Sequence, residues 1–172
     1  MKKLFILSIV LLLFTACQEQ SKRYTQQSPE IETVKKAIQQ YNAKNYDTSF
    51  YADTCKTYFN SDKFMTVEET MSFHKANENY YSNRGFTDND PEYEMVVTDD
   101  GETWVNCWLE WKGTMKETGK EITMPVHLTY RFADGKIVRQ LGYWDPTEVI
   151  LELQAIEASK KELSKEEAEA SK

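Results

Sequence analysis

The chain holds only two histidines, three cysteines, four prolines and six glycines among its 172 residues. His74 and His127 stand far apart, as do Cys55 and Cys107, so no metal-ligand spacing is legible. The glycines are scattered, with no phosphate-binding loop among them, and no Ser or Cys occupies a nucleophile motif. No cofactor is therefore implied. Basic clusters are missing too: the net charge is −7, and the Lys-rich stretch from Lys160 to Lys165 is interleaved with carboxylates. That reads as a solvated face and excludes a phosphate-backbone footprint for nucleic acid. Long apolar runs are absent apart from Leu4 to Phe14, which is too short to span a bilayer well.

What is present begins with that run. Lys2 and Lys3 precede it, only Ser8 interrupts it, and it ends in Phe14-Thr15-Ala16-Cys17. This is the layout of a signal peptide. Its end resembles the lipobox of bacterial lipoproteins, in which small residues precede a cysteine that is acylated and becomes the mature N-terminus. Phe14 departs from the commoner Leu, and Gln18 is not the Asp of an inner-membrane retention signal. An ordinary signal peptide cut after Ala16, or an uncleaved anchor, is the alternative. On the lipoprotein reading, residues 1–16 are the signal and residues 17–28 a lipidated flexible tether. The domain spans residues 29–157, and residues 158–172 form a charged, solvated tail. Removing residues 1–16 takes two lysines and no acids, so the charge moves from −7 to −9. Lipid on Cys17 rather than charge must then hold the protein to a bacterial membrane, on the periplasmic side or the cell surface.

The remaining length suits one domain with one core, and 13% aromatic residues argue against wholesale disorder. Ser28-Pro29 is a cap and first-turn proline, followed by Ile31, Val34, Ile38 and Tyr41 at helical spacing. A short helical piece is expected over Thr48 to Thr54. Thr66-Val67-Glu68-Glu69 is a capping box opening a helix that carries Met71, His74 and Tyr81 and ends near Arg84-Gly85. Asp145-Pro146-Thr147-Glu148 opens a last helix through Ile156. Cys55 falls in the helical piece and Cys107 in a strand, and their pairing is left open.

From Glu92 the period becomes two. Val105, Cys107, Leu109 and Trp111 alternate with Trp104, Asn106, Trp108 and Glu110, and a second run alternates from Ile122 to Phe132. Asp134-Gly135 and Thr118-Gly119 read as two-residue hairpin turns. Together they set Trp111 opposite Val126 and Tyr143, Leu109 opposite Leu128 and Leu141, and His127 opposite Glu110.

The stretch from Trp104 to Asp145, with its Tyr-x-Phe-x-Asp-Gly-Lys-Ile hairpin and Tyr-Trp-Asp finish, resembles the polyketide cyclase SnoaL-like branch of the nuclear transport factor 2-like superfamily. The resemblance implies an α+β, cone-shaped fold: N-terminal helices packed on a strongly bent antiparallel sheet, plus a C-terminal helix. It also implies an apolar cup. In the register above, Trp111, Val126, Leu128, Tyr130, Leu141 and Tyr143 line it, closed by Tyr41 and His74. These residues equally suit a filled core.

The superfamily holds both enzymes and non-catalytic binding domains, so the fold leaves activity open. A ketosteroid-isomerase-like site needs an acid where this chain has Val126 or Leu128. A dehydratase-like or cyclase-like site would draw on His74, His127 and Asp145. His127, with Trp108, Glu110 and Trp144, is expected on the outer sheet face, where such folds form homodimers. Asp145 is equally an ordinary cap. Three readings follow: a tethered domain binding a small hydrophobic ligand, a homodimeric or partner-binding module, and an isomerase-like or dehydratase-like enzyme.

Overall fold

The computed structural model describes residues 23–170; the expected signal segment and Cys17 lie outside them. Helix α1, Pro29–Asn42, starts where expected: the Ser28 hydroxyl accepts from the Ile31 N–H, and Ile31, Val34 and Ile38 are buried. Helix α2, Val67–Asn77, opens with the complete Thr66/Glu69 capping box. It stops earlier than the sequence pattern implies. Tyr81–Phe86 is instead strand β3, because these residues pair with residues 111–115.

The sheet is built on two thirteen-residue strands, β5 (Thr103–Met115) and β6 (Glu121–Ala133). Their alternation sends Val105, Cys107, Leu109, Trp111 and Met115, with every second residue from Ile122 to Phe132, into one buried face. Each large apolar side chain so buried contributes roughly 2 kcal/mol. β7 (Lys136–Trp144) follows β6, and β2 (Tyr51–Phe59) pairs parallel to β7. The segment expected as a short helix is thus mostly strand, with Cys55 on its buried side. Along the far edge of β5, β3 and then β4 (Glu92–Val97) run in succession, and the two-residue β1, Tyr24–Thr25, pairs with β4. Arg23 and Asp99 add an ion pair there, so the expected tether meets the domain before Pro29. The result is α+β, with helices on a bent, unclosed sheet that is antiparallel except at β2–β7.

Both hairpin registers differ from expectation. The β5–β6 loop closes between Met115 and Lys120, with four residues between them, not on Thr118-Gly119 alone. Trp111 therefore faces Met124, Leu109 faces Val126, and Glu110 faces Pro125 rather than His127. A two-residue slip keeps every side chain on its face. The Asp134-Gly135 turn forms as read, with Ala133 paired to Lys136. A bulge next to it, where the pairing passes from Phe132–Ile137 to Arg131–Arg139, then shifts β7 by one residue. That slip exchanges its faces: Gln140, Gly142 and Trp144 turn inward, Leu141 and Tyr143 outward.

Helix α3, Thr147–Ala170, continues well past Ile156. Val149, Leu153 and Ile156 pack on the core, and the distal half is exposed.

Candidate functional site

The concave face of the sheet and the two N-terminal helices enclose a cavity of about 380 Å³. Its sheet wall is Trp111, Met124, Val126 and Leu128, and its most buried end is Tyr130 with Gln140. Ile38 and Tyr41 of α1 and Met71, Phe73 and His74 of α2 form the opposite side, while Pro146, Val149 and Ile150 at the start of α3 border it. Five of the residues expected to line a cup, Tyr41, Trp111, Val126, Leu128 and Tyr130, do so, and His74 joins them. Leu141 and Tyr143 do not, because the β7 bulge turns them outward, and Trp144 takes the inward place.

The polar groups of the cavity cluster where α1, α2 and β3 meet. Trp111 Nε1 donates to the Tyr41 hydroxyl at 3.1 Å. The Arg84 guanidinium lies 4.0 Å over the Tyr41 ring, donates to the Tyr41 carbonyl at 3.3 Å and to the Tyr46 hydroxyl at 2.7 Å, and reaches Glu78 at 3.4 Å. The Tyr46 hydroxyl also donates to Glu78. Arg84 Nε, however, is buried without a partner, as is Gln140 Oε1, whose amide Nε2 donates to the Tyr130 hydroxyl at 3.4 Å. Buried polar atoms are nearly always bonded, so two unbonded ones bordering a single cavity are notable.

His74 sits among rings, 5.0 Å from Tyr41 and 5.7 Å from Phe59. Burial, with a smaller push from the Arg84 charge, lowers its pKa to about 4, so the imidazole is neutral at pH 7. Burial also raises the Tyr41 phenol and lifts Tyr81 to about 12, keeping both protonated. Chemically, the cavity offers neutral hydrogen-bond donors, one cation and a weakly basic ring inside an apolar wall.

The other candidates lie elsewhere. His127 is on the opposite sheet face, ring to ring with Trp108 at 5.0 Å and with Tyr143 at 6.5 Å. Glu110 is held by Thr87 and Asn89 and does not pair with His127, while Trp144 lines the cavity and also borders the outer groove beside His127. Asp145 is exposed, its carboxylate accepting from the Thr147 N–H at 2.9 Å and pulled below the ordinary range by the Thr147 side-chain and backbone bonds. It borders a shallow outer groove with His127 and Tyr143, not the cavity. Cys55 and Cys107 are both free and buried.

Arg84 and Gln140 were not legible as site residues. Arg84 hid in a segment with a helix-end pattern, and Gln140 on a strand whose faces the bulge exchanged. The available signal for Arg84 was a lone cation between Tyr81 and Phe86.

No protein-family model and no curated protein matches this chain. Solved structures do. A protein of unknown function from Burkholderia pseudomallei, described as nuclear transport factor 2-like, is 14% identical with a TM-score of 0.59, over 72% of this chain and 96% of its own. A candidate polyketide cyclase from Xanthomonas campestris is 18% identical with a TM-score of 0.59, over 74% and 98%. A candidate SnoaL-like polyketide cyclase from Jannaschia is 16% identical with a TM-score of 0.57, over 77% and 94%. At such identities the likeness is one of architecture, and by that architecture the chain has the nuclear transport factor 2-like fold.

Proposed function

We propose that this protein is an exported lipoprotein, anchored to a bacterial membrane through Cys17, whose domain binds a small, largely apolar molecule in its cup. The observation that carries the binding reading is the cavity of about 380 Å³, open among Trp111, Val126, Leu128 and Trp144 rather than filled by them. The polyketide cyclase descriptions of several neighbours fit a domain for a small organic molecule. Trp111 and Trp144 report occupancy directly. Titrating the full chain with the neutral dye N-phenyl-1-naphthylamine is expected to give one saturable site, with quenching of intrinsic tryptophan fluorescence. Absence of saturable binding would sink the reading.

The tether rests on the sequence before the described residues. Mass spectrometry of the membrane-extracted protein is expected to show the lipid on Cys17 as the first residue, with Cys17→Ala leaving a soluble product.

A homodimeric module is the second reading, supported by the exposed outer face, where Trp108 is 45% and Tyr143 51% exposed. Sedimentation of wild type against Trp108→Glu tests it, dimerisation lost in the variant being the supporting result. An isomerase-like or dehydratase-like enzyme draws support from His74 in the cavity, but an imidazole with a pKa of about 4 is a weak base at neutral pH.

A further inference from the structure

Arg84 is the most deeply buried cation described, its side chain only 1% exposed in a largely apolar cavity. Taking a guanidinium out of water is costly unless its donors are satisfied and its charge is balanced. Each condition is met only in part from within the chain. Nη1 and Nη2 are bonded, but Nε–H has no partner. The Arg84 counter-charge is Glu78, at 3.4 Å, and Glu78 is shared with the Tyr46 hydroxyl and with Lys44 at 4.0 Å. Lys75 adds a further positive charge over the Tyr46 ring. Asp47, exposed at the rim with its carboxylate on Ser49, is the other acid bordering the cavity, so three cations meet two carboxylates at this corner.

Arg139 Nε is buried and unbonded as well, but of the two arginines it is Arg84 that lines the cavity. A ligand carboxylate supplies a further acceptor and relieves the sharing of Glu78, and charge-assisted bonds to a guanidinium are the strong ones. The Tyr41 hydroxyl accepts from Trp111 and keeps its own proton to donate, and it lines the same cavity. Resting on the binding reading above, we propose that the cup takes an amphipathic carboxylate, its apolar body against Trp111, Val126 and Leu128 and its anionic head toward the Arg84 guanidinium and the Tyr41 hydroxyl.

Three probes with one body decide it: decanoate, decan-1-ol and decylamine, each displacing N-phenyl-1-naphthylamine from the full chain at pH 7.5. Decanoate is expected to bind about ten-fold or more tightly than either of the others, as a charged hydrogen bond to a buried guanidinium implies. Arg84→Gln is expected to narrow the decanoate-over-decan-1-ol preference to about two-fold. Should that variant not fold, the wild type suffices: at pH 7.5 the Arg84 Nε–H resonance should shift on adding decanoate and stay in place with decan-1-ol. Equal affinity for decanoate and decan-1-ol, or an Arg84 Nε–H resonance that decanoate leaves unmoved, overturns the carboxylate and leaves the apolar cup standing. Failure of all three probes and of the dye overturns the cup itself.

Discussion

The indole N–H of Trp111 donates to the Tyr41 hydroxyl at 3.1 Å, tying β5 to α1 across the cup. Trp111 is almost fully buried, so its N–H has no access to water if that acceptor goes. Tyr41→Phe keeps the ring under Arg84 and removes only the hydroxyl. The expected cost is about 1–2 kcal/mol in urea unfolding, the penalty of an orphaned buried donor. In a double-mutant cycle, Trp111→Phe should make the Tyr41→Phe change smaller by about 1 kcal/mol, since no donor is then left unpaired. Additive losses would mean that the bond carries nothing.

His74 makes stability depend on acid in a specific window. Its folded pKa is about 4 against an ordinary value of 6.5. Between those values the unfolded chain binds a proton that the folded ring does not, so lowering the pH favours unfolding. Stability associated with this group is greatest above pH 6.5 and falls steadily toward pH 4. For a partly buried ring the loss is about 2–3 kcal/mol. His74→Phe keeps the aromatic contacts and removes the titration. Urea unfolding at pH 7.5 and pH 4.5 should therefore show wild type losing more stability than the variant, by up to that amount.

The site was half legible for a physical reason that the two hairpins separate. On β5 and β6 the inward aliphatics recur every second residue, and the actual four-residue loop moves the pairing by two, which leaves their faces intact. On β7 the turn was read correctly, yet a one-residue bulge beyond it exchanged Leu141 and Tyr143 for Gln140 and Trp144. A bulge is a local backbone event that leaves little trace in the hydrophobic alternation, and Leu141 and Tyr143 are apolar enough to pass for core. The β3 segment failed differently. Tyr81 fits a helical stripe continuing from Met71 and His74, and only pairing with distant β5 makes the segment a strand, so Arg84 could not be seen as a cavity residue.

Gly113 gives the Trp111 indole its place. The two residues share a face of β5, and a methyl group at Gly113 would lie 2.8 Å from Trp111 Cζ3. The indole is also held by Tyr41 and packed edge-on against Tyr81 at 5.2 Å, so it has little room to yield. Gly113→Ala should destabilise by about 1–3 kcal/mol through overpacking. It should also displace the indole into the cup, weakening dye binding and shifting tryptophan emission. A variant with unchanged stability and emission would show that the indole is free to move.

The two buried thiols of the domain should be silent toward thiol reagents in the native protein. Burial raises Cys55 to about 11 and Cys107 further, so the reactive thiolate is scarce at pH 8. Reaction with Ellman's reagent should be slow until guanidinium unfolds the chain, when both residues react. The count carries a second message. Two thiols in the unfolded membrane-extracted protein fit a lipid-blocked Cys17, and three fit a free one.

Helix α3 divides into a working half and an extension. Val149, Leu153 and Ile156 pack on the core, and Lys120 joins Glu148 and Glu152 at 3.3 Å. Beyond them Leu163 is exposed, and the tie described back to the domain is the surface ion pair of Lys160 with Glu117 in the β5–β6 loop. Such pairs contribute about 0–1 kcal/mol, and a solvated helical extension adds little of its own. A chain ending at residue 157 should therefore match the full chain within about 1 kcal/mol in urea unfolding, and should bind the dye equally well. A chain ending at residue 145 loses Pro146, Val149 and Ile150 from the edge of the cavity, so its dye affinity should drop together with its stability. If the shorter cut left dye affinity intact, α3 would not cover the cup. A large loss on cutting at 157 would instead mean that the distal half of the helix packs on something in solution, a second copy of the chain being the simplest test by sedimentation.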